Sequence, residues 1–489
     1  MQKKIILVIF IFTIAQVSLF PQITEVFTHN YNQYSDGTGE FITETLDGGY
    51  AICGTYYNNE TDEGKHFLIR TDNEGNIQWN KEFWMYIHHW DCSVQLTYDN
   101  GFIVCGGGTD GQLIKFDESG NIVWNKSYGD DGYQFGRCGI QTSDSGFAFI
   151  GAYDSILFEP GMDTKIWLVK TNQVGDTLWT KRYDESGMGI SILQTTDMGY
   201  LLTGQSEIEE EDCSGFLLTK TDSSGCIEWS NKWFSKGAWW CRPEDTQQTH
   251  DGGYITVGVS ADTVTHICSV YVIKTNASGD TVWTRKIKKG AWSWAYSVNL
   301  LENGGYLIAA KTAAKIITSM EGYKNPDEID VWIFALNTDG EIEWEKVLGG
   351  SFNDQIHCLH KNRDSSYVFT GGYGQDQWNC DPWLVKFTID ENTSINKRIV
   401  KEQYVQLFQN FPNPCNRQTT IRYNLYNSGN IRLKIYNVFG QEIETLLDGY
   451  QTAGEHTIIW QPIGLSSGIY FYSLQTGNFL ETKRLFLKE

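Results

Sequence analysis

The side chains best placed for chemistry are aromatic residues that sit next to charged ones. One segment reads Trp84-Met85-Tyr86-Ile87-His88-His89-Trp90-Asp91, a second Trp239-Trp240-Cys241-Arg242, and a third Trp292-Ser293-Trp294-Ala295-Tyr296. Tyr133, Phe135 and Arg137 make a sparser set, and Phe352 and Asp354 another. Indole faces beside Asp, Arg and His are what sugar rings and aromatic ligands stack on. The candidate ligand-binding residues are therefore Trp90, Arg137, Trp239, Trp240, Arg242, Trp292, Trp294 and Asp354. The competing expectation is that these indoles fill gaps between packed sheets and present no face to a ligand.

Hydrolytic chemistry has thinner support. Asp91, Glu244, Asp245 and Asp354 include pairs that could serve as the two carboxylates of glycoside cleavage. Acidic loops in an acidic chain are more often solvated surface. His88-His89 with His357 would suit a metal or acid–base cluster, but adjacent residues on a strand point to opposite faces. The acidic run from Glu207 to Asp212 lacks the DxDxDG spacing of a calcium loop. Nucleophile elbow, phosphate-loop and HExxH patterns are absent. The sequence points to no cofactor and no metal, and it assigns no catalytic residue.

These side chains hang on a phrase of about fifty residues that recurs seven times. Its first copy runs Leu46-Asp47-Gly48-Gly49-Tyr50-Ala51-Ile52-Cys53-Gly54, then Phe67-Leu68-Ile69-Arg70-Thr71-Asp72, then Gly75-Asn76-Ile77-Gln78-Trp79. The core returns at Gly101-Phe102, Gly146-Phe147, Gly199-Tyr200, Gly253-Tyr254, Gly305-Tyr306 and, altered, Ser366-Tyr367. A period of about 40–50 residues with four strands per unit is the signature of a β-propeller. Strands A and D alternate, whereas B and C are near-continuous apolar runs, as expected of strands buried on both faces. Asp/Asn-Gly turns join A to B and C to D. The variable B–C and D–A loops share the opposite face, where function is expected.

The seventh copy lacks a fourth strand. Ile23 to Tyr31 matches the D-strand pattern of Ile122 to Tyr128, with Phe27 near the Trp position. The expectation is an all-β, seven-bladed β-propeller closed by its N-terminal strand, with six or eight blades as the alternatives. Closure would remove an open sheet edge.

Before that strand, Lys3-Lys4 and an apolar run from Ile5 to about Phe20 read as a signal peptide over residues 1–22. The run is shorter than the ~20 residues of a spanning helix, so no membrane span is expected after cleavage. A net charge of −22 excludes nucleic acid as a partner. Eleven scattered cysteines show neither a CxxC pair nor metal-ligand spacing. Cys53 and Cys105 share one apolar position in two repeats and are expected to be core residues.

The propeller is expected over residues 23–388, and residues 389–403 read as a linker. From Tyr404 to Glu489 about seven short strands recur at sandwich spacing. Leu407-Phe408-Gln409-Asn410-Phe411-Pro412-Asn413-Pro414, Ile435 to Gly440, Gly454 to Trp460, Ser467 to Tyr472 and Lys483 to Lys488 carry a resemblance here. The segment resembles the type A C-terminal sorting domain of the type IX secretion system, with Cys415 and Arg417 replacing the usual Phe and Pro. That resemblance implies an Ig-like β-sandwich at 404–489, contact with the type IX machinery, and a secreted or cell-surface location. The repeat phrase resembles the DGGY-type repeats of secreted proteins with this tail. Together these readings describe a binding or adhesion propeller whose ligand is an extracellular glycan or protein. The alternative is a carbohydrate-active enzyme, a glycosidase or lyase with carboxylates at the channel mouth.

Overall fold

Each of the first six copies of the phrase folds as four antiparallel strands, A to D in chain order, and the seventh supplies A to C. The structure, a computed structural model, describes residues 22–58, 63–85, 92–130, 132–154, 164–208, 213–265, 267–318, 324–349, 353–374, 380–390, 405–407, 410, 412–413, 415–425, 429–437, 441–452, 454–476 and 479–488. Trp90, His88, His89, Asp91 and Phe352 lie outside the described residues, as do most of the signal and linker expectations and residues 209–212. The chain is all-β, and among the described residues the one helical piece is the 3-10 turn Asn32–Tyr34. No described helix is long and apolar enough to cross a membrane. Two compact units part after Asp390.

The first unit holds seven four-stranded sheets among the described residues. Sheet 1 spans 37–83, sheet 2 93–128, sheet 3 133–186, sheet 4 188–233, sheet 5 238–287, sheet 6 292–348, and sheet 7 353–390. The fourth strand of sheet 7 is Gln22–Asn30, antiparallel to Cys380–Asp390, with Gln22 opposite Asp390 and Asn30 opposite Trp383.

The repeated residues hold sheets together from within and between. The A–B turn carboxylate accepts a hydrogen bond from a preceding threonine hydroxyl, as from Thr45 to Asp47 at 2.7 Å. It also meets a buried strand-C cation: Lys115–Asp99 at 3.0 Å, and Lys170–Asp144, Lys220–Asp197 and Lys274–Asp251 at 2.9 Å. Each of these ammonium groups also donates to the next residue's carbonyl, so its polar head is satisfied inside the sheet. Desolvation pushes the Asp197 carboxyl up, but hydrogen bonds from Thr195 and Lys220 outweigh it and hold it at about 2.

The C–D turns need glycine for two reasons. Gly120, Gly175, Gly225, Gly279 and Gly340 have φ between 77° and 81°, a region that L side chains rarely adopt. A Cβ at any of them would also press on the indole of the preceding sheet's D strand, at 2.7–3.1 Å. The A–B turn has room instead, with Asn73 no nearer than 3.7 Å to a Cβ on Gly48. Asn100, Ser145, Met198 and Ser365 accordingly take the positive φ there.

The recurring tryptophan joins neighbours. Trp79, Trp124, Trp179, Trp229 and Trp283 each pack on the first aromatic of strand B in the next sheet, with centroids 5.5–6.1 Å apart. Phe27 of sheet 7 makes the same contact with Tyr50 of sheet 1 at 6.2 Å. Val368 and Leu384 of sheet 7 share a buried cluster with Ile42, Ile52 and Ile69 of sheet 1.

The second unit has a three-stranded sheet (Val405–Leu407, Thr419–Leu425, Gly454–Trp460) and a four-stranded one (Glu442–Gln451, Gly429–Asn437, Gly468–Thr476, Phe479–Leu487). Ile421, Tyr423 and Trp460 from one sheet and Leu433, Tyr472 and Leu485 from the other form one core. The Asn-Pro stretch fastens the unit's ends. The Asn410 amide N–H donates to Tyr472 Oη at 2.8 Å, and Asn413 Oδ1 accepts from the Phe486 N–H at 2.8 Å.

Candidate functional site

In six of the seven sheets strand A breaks register with strand B at one common position, leaving a residue unpaired. Those residues are Glu40, Arg137, Ile190, Glu244, Tyr296 and His357. Cys92, just ahead of the Ser93–Cys105 pair, holds the equivalent place in sheet 2. A bulge re-aims the side chain it inserts. Strand after strand, the repeat thus delivers one variable side chain from the same position.

Several of them meet. Glu244 lies 3.1 Å from Arg242 Nε and 3.7 Å from an Arg137 amino group, and it accepts a hydrogen bond from Trp294 Nε1–H at 3.0 Å. Arg137 comes from sheet 3, Glu244 and Arg242 from sheet 5, and Trp294 from sheet 6. Trp294 stacks on Tyr296 at 5.5 Å, and Tyr296 contacts His357 at 5.3 Å. The buried Lys311 Nζ sits 4.2 Å above the Tyr296 ring, 2.9 Å from Gln355 Oε1 and 3.1 Å from His357 Nε2. His357 Nδ1 then reaches Glu40 at 2.9 Å. The Glu244 and Glu40 side chains are only 7% and 8% exposed, so these pairs are largely desolvated.

An aromatic ladder continues this network outward. Trp239 and Trp240 stack at 6.1 Å, Trp240 meets Trp294 edge-on at 5.2 Å, and Trp292 meets Trp294 at 5.9 Å. Trp239 is 46% exposed. Like Glu244 it is a bulge residue, set between the pairs made by Ala238 and Trp240.

The structure therefore brings Arg137, Trp239, Trp240, Arg242, Trp292 and Trp294 together, but not as the sequence placed them. These tryptophans lie on strands Ala238–Gln248 and Trp292–Leu300 rather than in D–A loops, because strand A of sheets 5 and 6 already includes them, and in sheet 5 it is longer than its counterparts. Trp292 is buried among Val259, Ala261, Cys268 and Ala313, where it fills the gap between sheets 5 and 6. Asp354 is also buried, beside Gly349 and one residue from Gln355. Trp90 lies outside the described residues, whereas Trp84 is 61% exposed.

Of the carboxylates considered for hydrolysis, Glu244 and Asp245 are engaged by other groups, and Asp91 lies outside the described residues. Glu244 faces two guanidinium groups, and Asp245 is buried, accepting from Ser297 Oγ at 3.2 Å and the Val298 N–H at 3.0 Å. Burial pushes the Asp245 carboxyl up, and those hydrogen bonds oppose it. No group of three His, Cys, Asp or Glu residues suited to a metal occurs among the described residues. Sequence reasoning missed Glu40, Tyr296 as a bulge residue, Lys311 and Gln355. The signal was available, since each bulge residue stands nine positions ahead of the Gly or Ser before the strand-B aromatic.

No curated protein matches this sequence. Among solved structures, the chain is similar to a protein of unknown function from Dyadobacter fermentans, at 8% identity and a TM-score of 0.47, over 75% of this chain and 99% of that one. It is similar to a protein of unknown function from Bacteroides caccae, at 13% identity and a TM-score of 0.35, over 59% of this chain and 94% of that one. It is also similar to PorZ of Porphyromonas gingivalis, an essential surface component of the type IX secretion system, at 10% identity and a TM-score of 0.31, over 92% of this chain and 70% of that one. At these scores the likenesses carry no functional inference. Residues 409–488 match the family described as the secretion system C-terminal sorting domain. That domain marks the protein for export to the cell surface or for secretion and implies contact with the type IX machinery.

Proposed function

We propose that the first unit is a closed, seven-bladed propeller, residues 23–388, that binds an extracellular glycan, and that the Ig-like sandwich at 404–489 delivers it. Closure is supported by the Phe27–Tyr50 contact, which repeats between sheets 7 and 1 what tryptophan does at five other junctions. The observation that carries the binding reading is the ladder running from exposed Trp239 through Trp240 and Trp294 to Tyr296, with Arg137 and Arg242 beside it. Indole faces supply stacking for the apolar faces of sugars, and guanidinium groups supply fixed donors for their hydroxyls or carboxylates. Engagement of Glu244 and Asp245 in ion pairs and hydrogen bonds favours binding over glycoside cleavage, which needs a carboxylic acid and a carboxylate facing the substrate.

A glycan array probed with residues 23–388 tests this reading. The expected result is retention on a defined set of glycans that is weakened by Trp239→Ala. Retention on no glycan, with capture of a protein ligand instead, would replace it with the protein-binding alternative.

A further inference from the structure

Sheets 1 and 2 meet at a pair of sulfur atoms. Cys53 lies on strand Tyr50–Asn58 and Cys92 just ahead of strand Ser93–Leu96. Their Sγ atoms are 3.1 Å apart, and the Cys53 thiol is also 3.4 Å from the Cys92 carbonyl oxygen. Both residues are fully buried. Cys92 takes the bulge position, where other sheets carry Glu40, Arg137, Ile190, Glu244, Tyr296 and His357. All eleven cysteines stand as thiols in the structure.

A disulfide bond is about 2.05 Å long, so this pair needs an approach of roughly 1 Å, within reach of small side-chain rotations. The sorting domain marks the chain for export, and thiols outside the cytoplasm meet oxidising conditions. We propose that Cys53 and Cys92 form a disulfide in the exported protein, joining sheet 1 to sheet 2 covalently.

The reaction is thiol–disulfide exchange with a disulfide-bearing oxidant. One deprotonated cysteine attacks a sulfur of the oxidant's disulfide and releases one of its thiols. The second cysteine, deprotonated in turn, attacks the mixed disulfide at the protein's sulfur and releases the other thiol. The protein loses two protons and two electrons, and the oxidant leaves as a dithiol. Because neither sulfur is exposed in the folded chain, the exchange takes place before sheets 1 and 2 close. Afterwards the bond is shielded from reductants. Cys105 is a poorer partner, since its sulfur packs against Gly136 and Gly139 of sheet 3.

The test uses the full chain exported by a type IX-competent host, alkylated with N-ethylmaleimide in denaturant without reductant, then digested and mapped by mass spectrometry. The expected product is a cross-linked pair of peptides containing Cys53 and Cys92, with Cys105 and Cys226 alkylated. In a Cys92→Ser variant Cys53 becomes alkylated. Should that variant fail to fold, the wild-type map decides alone. Alkylation of both Cys53 and Cys92 in the exported wild type, or linkage of Cys53 to another cysteine, overturns the proposal.

Discussion

Tryptophans of the same ladder do different physical work, and exposure separates them. Trp292 is enclosed by Val259, Ala261, Cys268 and Ala313, whereas Trp239 turns much of its face to solvent. Truncating a buried tryptophan loses its transfer energy and leaves a cavity, typically about 3–5 kcal/mol. Trp292→Ala is therefore expected to lower the melting temperature clearly. Trp239→Ala should leave it nearly unchanged, since surface changes usually stay within about 0.5 kcal/mol, while weakening glycan binding roughly tenfold if about 1.4 kcal/mol of stacking is lost. Calorimetry and a binding isotherm on both variants check this. An Ala at 239 that melts normally and binds as wild type removes the ladder from the site. The aromatic half of the candidate site was legible in the sequence because Trp-Trp and Trp-Ser-Trp stand out against any repeat. Its charged half was not. Glu40, Arg137, Glu244 and His357 come from different copies, each more than ninety residues from the next, and the bulge in each strand A brings them to one region.

At the level of elements, the repeat made the strands readable because its constant residues are the ones that hold strands in place. The Asp of the A–B turn needs the strand-C cation, and the C–D glycine needs the indole of the sheet before it. Strand order followed from the apolar runs and the Gly-bearing turns between them. Strand ends did not, because Ala238–Gln248 and Lys324–Leu336 run past the common length, and nothing in the constant residues marks that extension. The N-terminal strand is the sharpest case. Gln22–Asn30 is paired along its length with Cys380–Asp390, and the neighbouring Tyr31 is buried with its hydroxyl donating to the Gly75 carbonyl at 2.9 Å. Burying one large apolar side chain stabilises by about 1.5–3 kcal/mol, and removing this segment forfeits Phe27 and Tyr31 together with a ladder of backbone hydrogen bonds. A fragment of residues 33–390 should melt several degrees below one of residues 22–390, and should aggregate more readily through the uncovered edge. Equal melting of the two fragments would show that the strand is dispensable.

For the whole molecule, the sorting unit supplies the address, and the ligand proposed above falls to the first unit. The sorting unit has a core of its own, from Leu407 to Leu487, and its family match covers only this segment. Its Asn-Pro stretch is bound into the fold through Asn410 and Asn413, so the residues that made the resemblance recognisable are ones that fasten its ends. The first unit likewise has a separate set of buried clusters, at least one at each junction between neighbouring sheets. A domain with its own core can fold alone. Ending the chain after Thr388 should therefore leave the sheets folded but remove the export address, and the truncated protein is expected to collect in the periplasm of a type IX-competent host. Cell fractionation with limited proteolysis reads both outcomes at once: location reports on the address, and protease resistance reports on the fold. A resistant fragment displayed normally at the cell surface would mean that the first unit carries an export signal of its own. A fragment that stays in the periplasm but is digested as an unfolded chain would mean that the first unit depends on the sorting unit to fold.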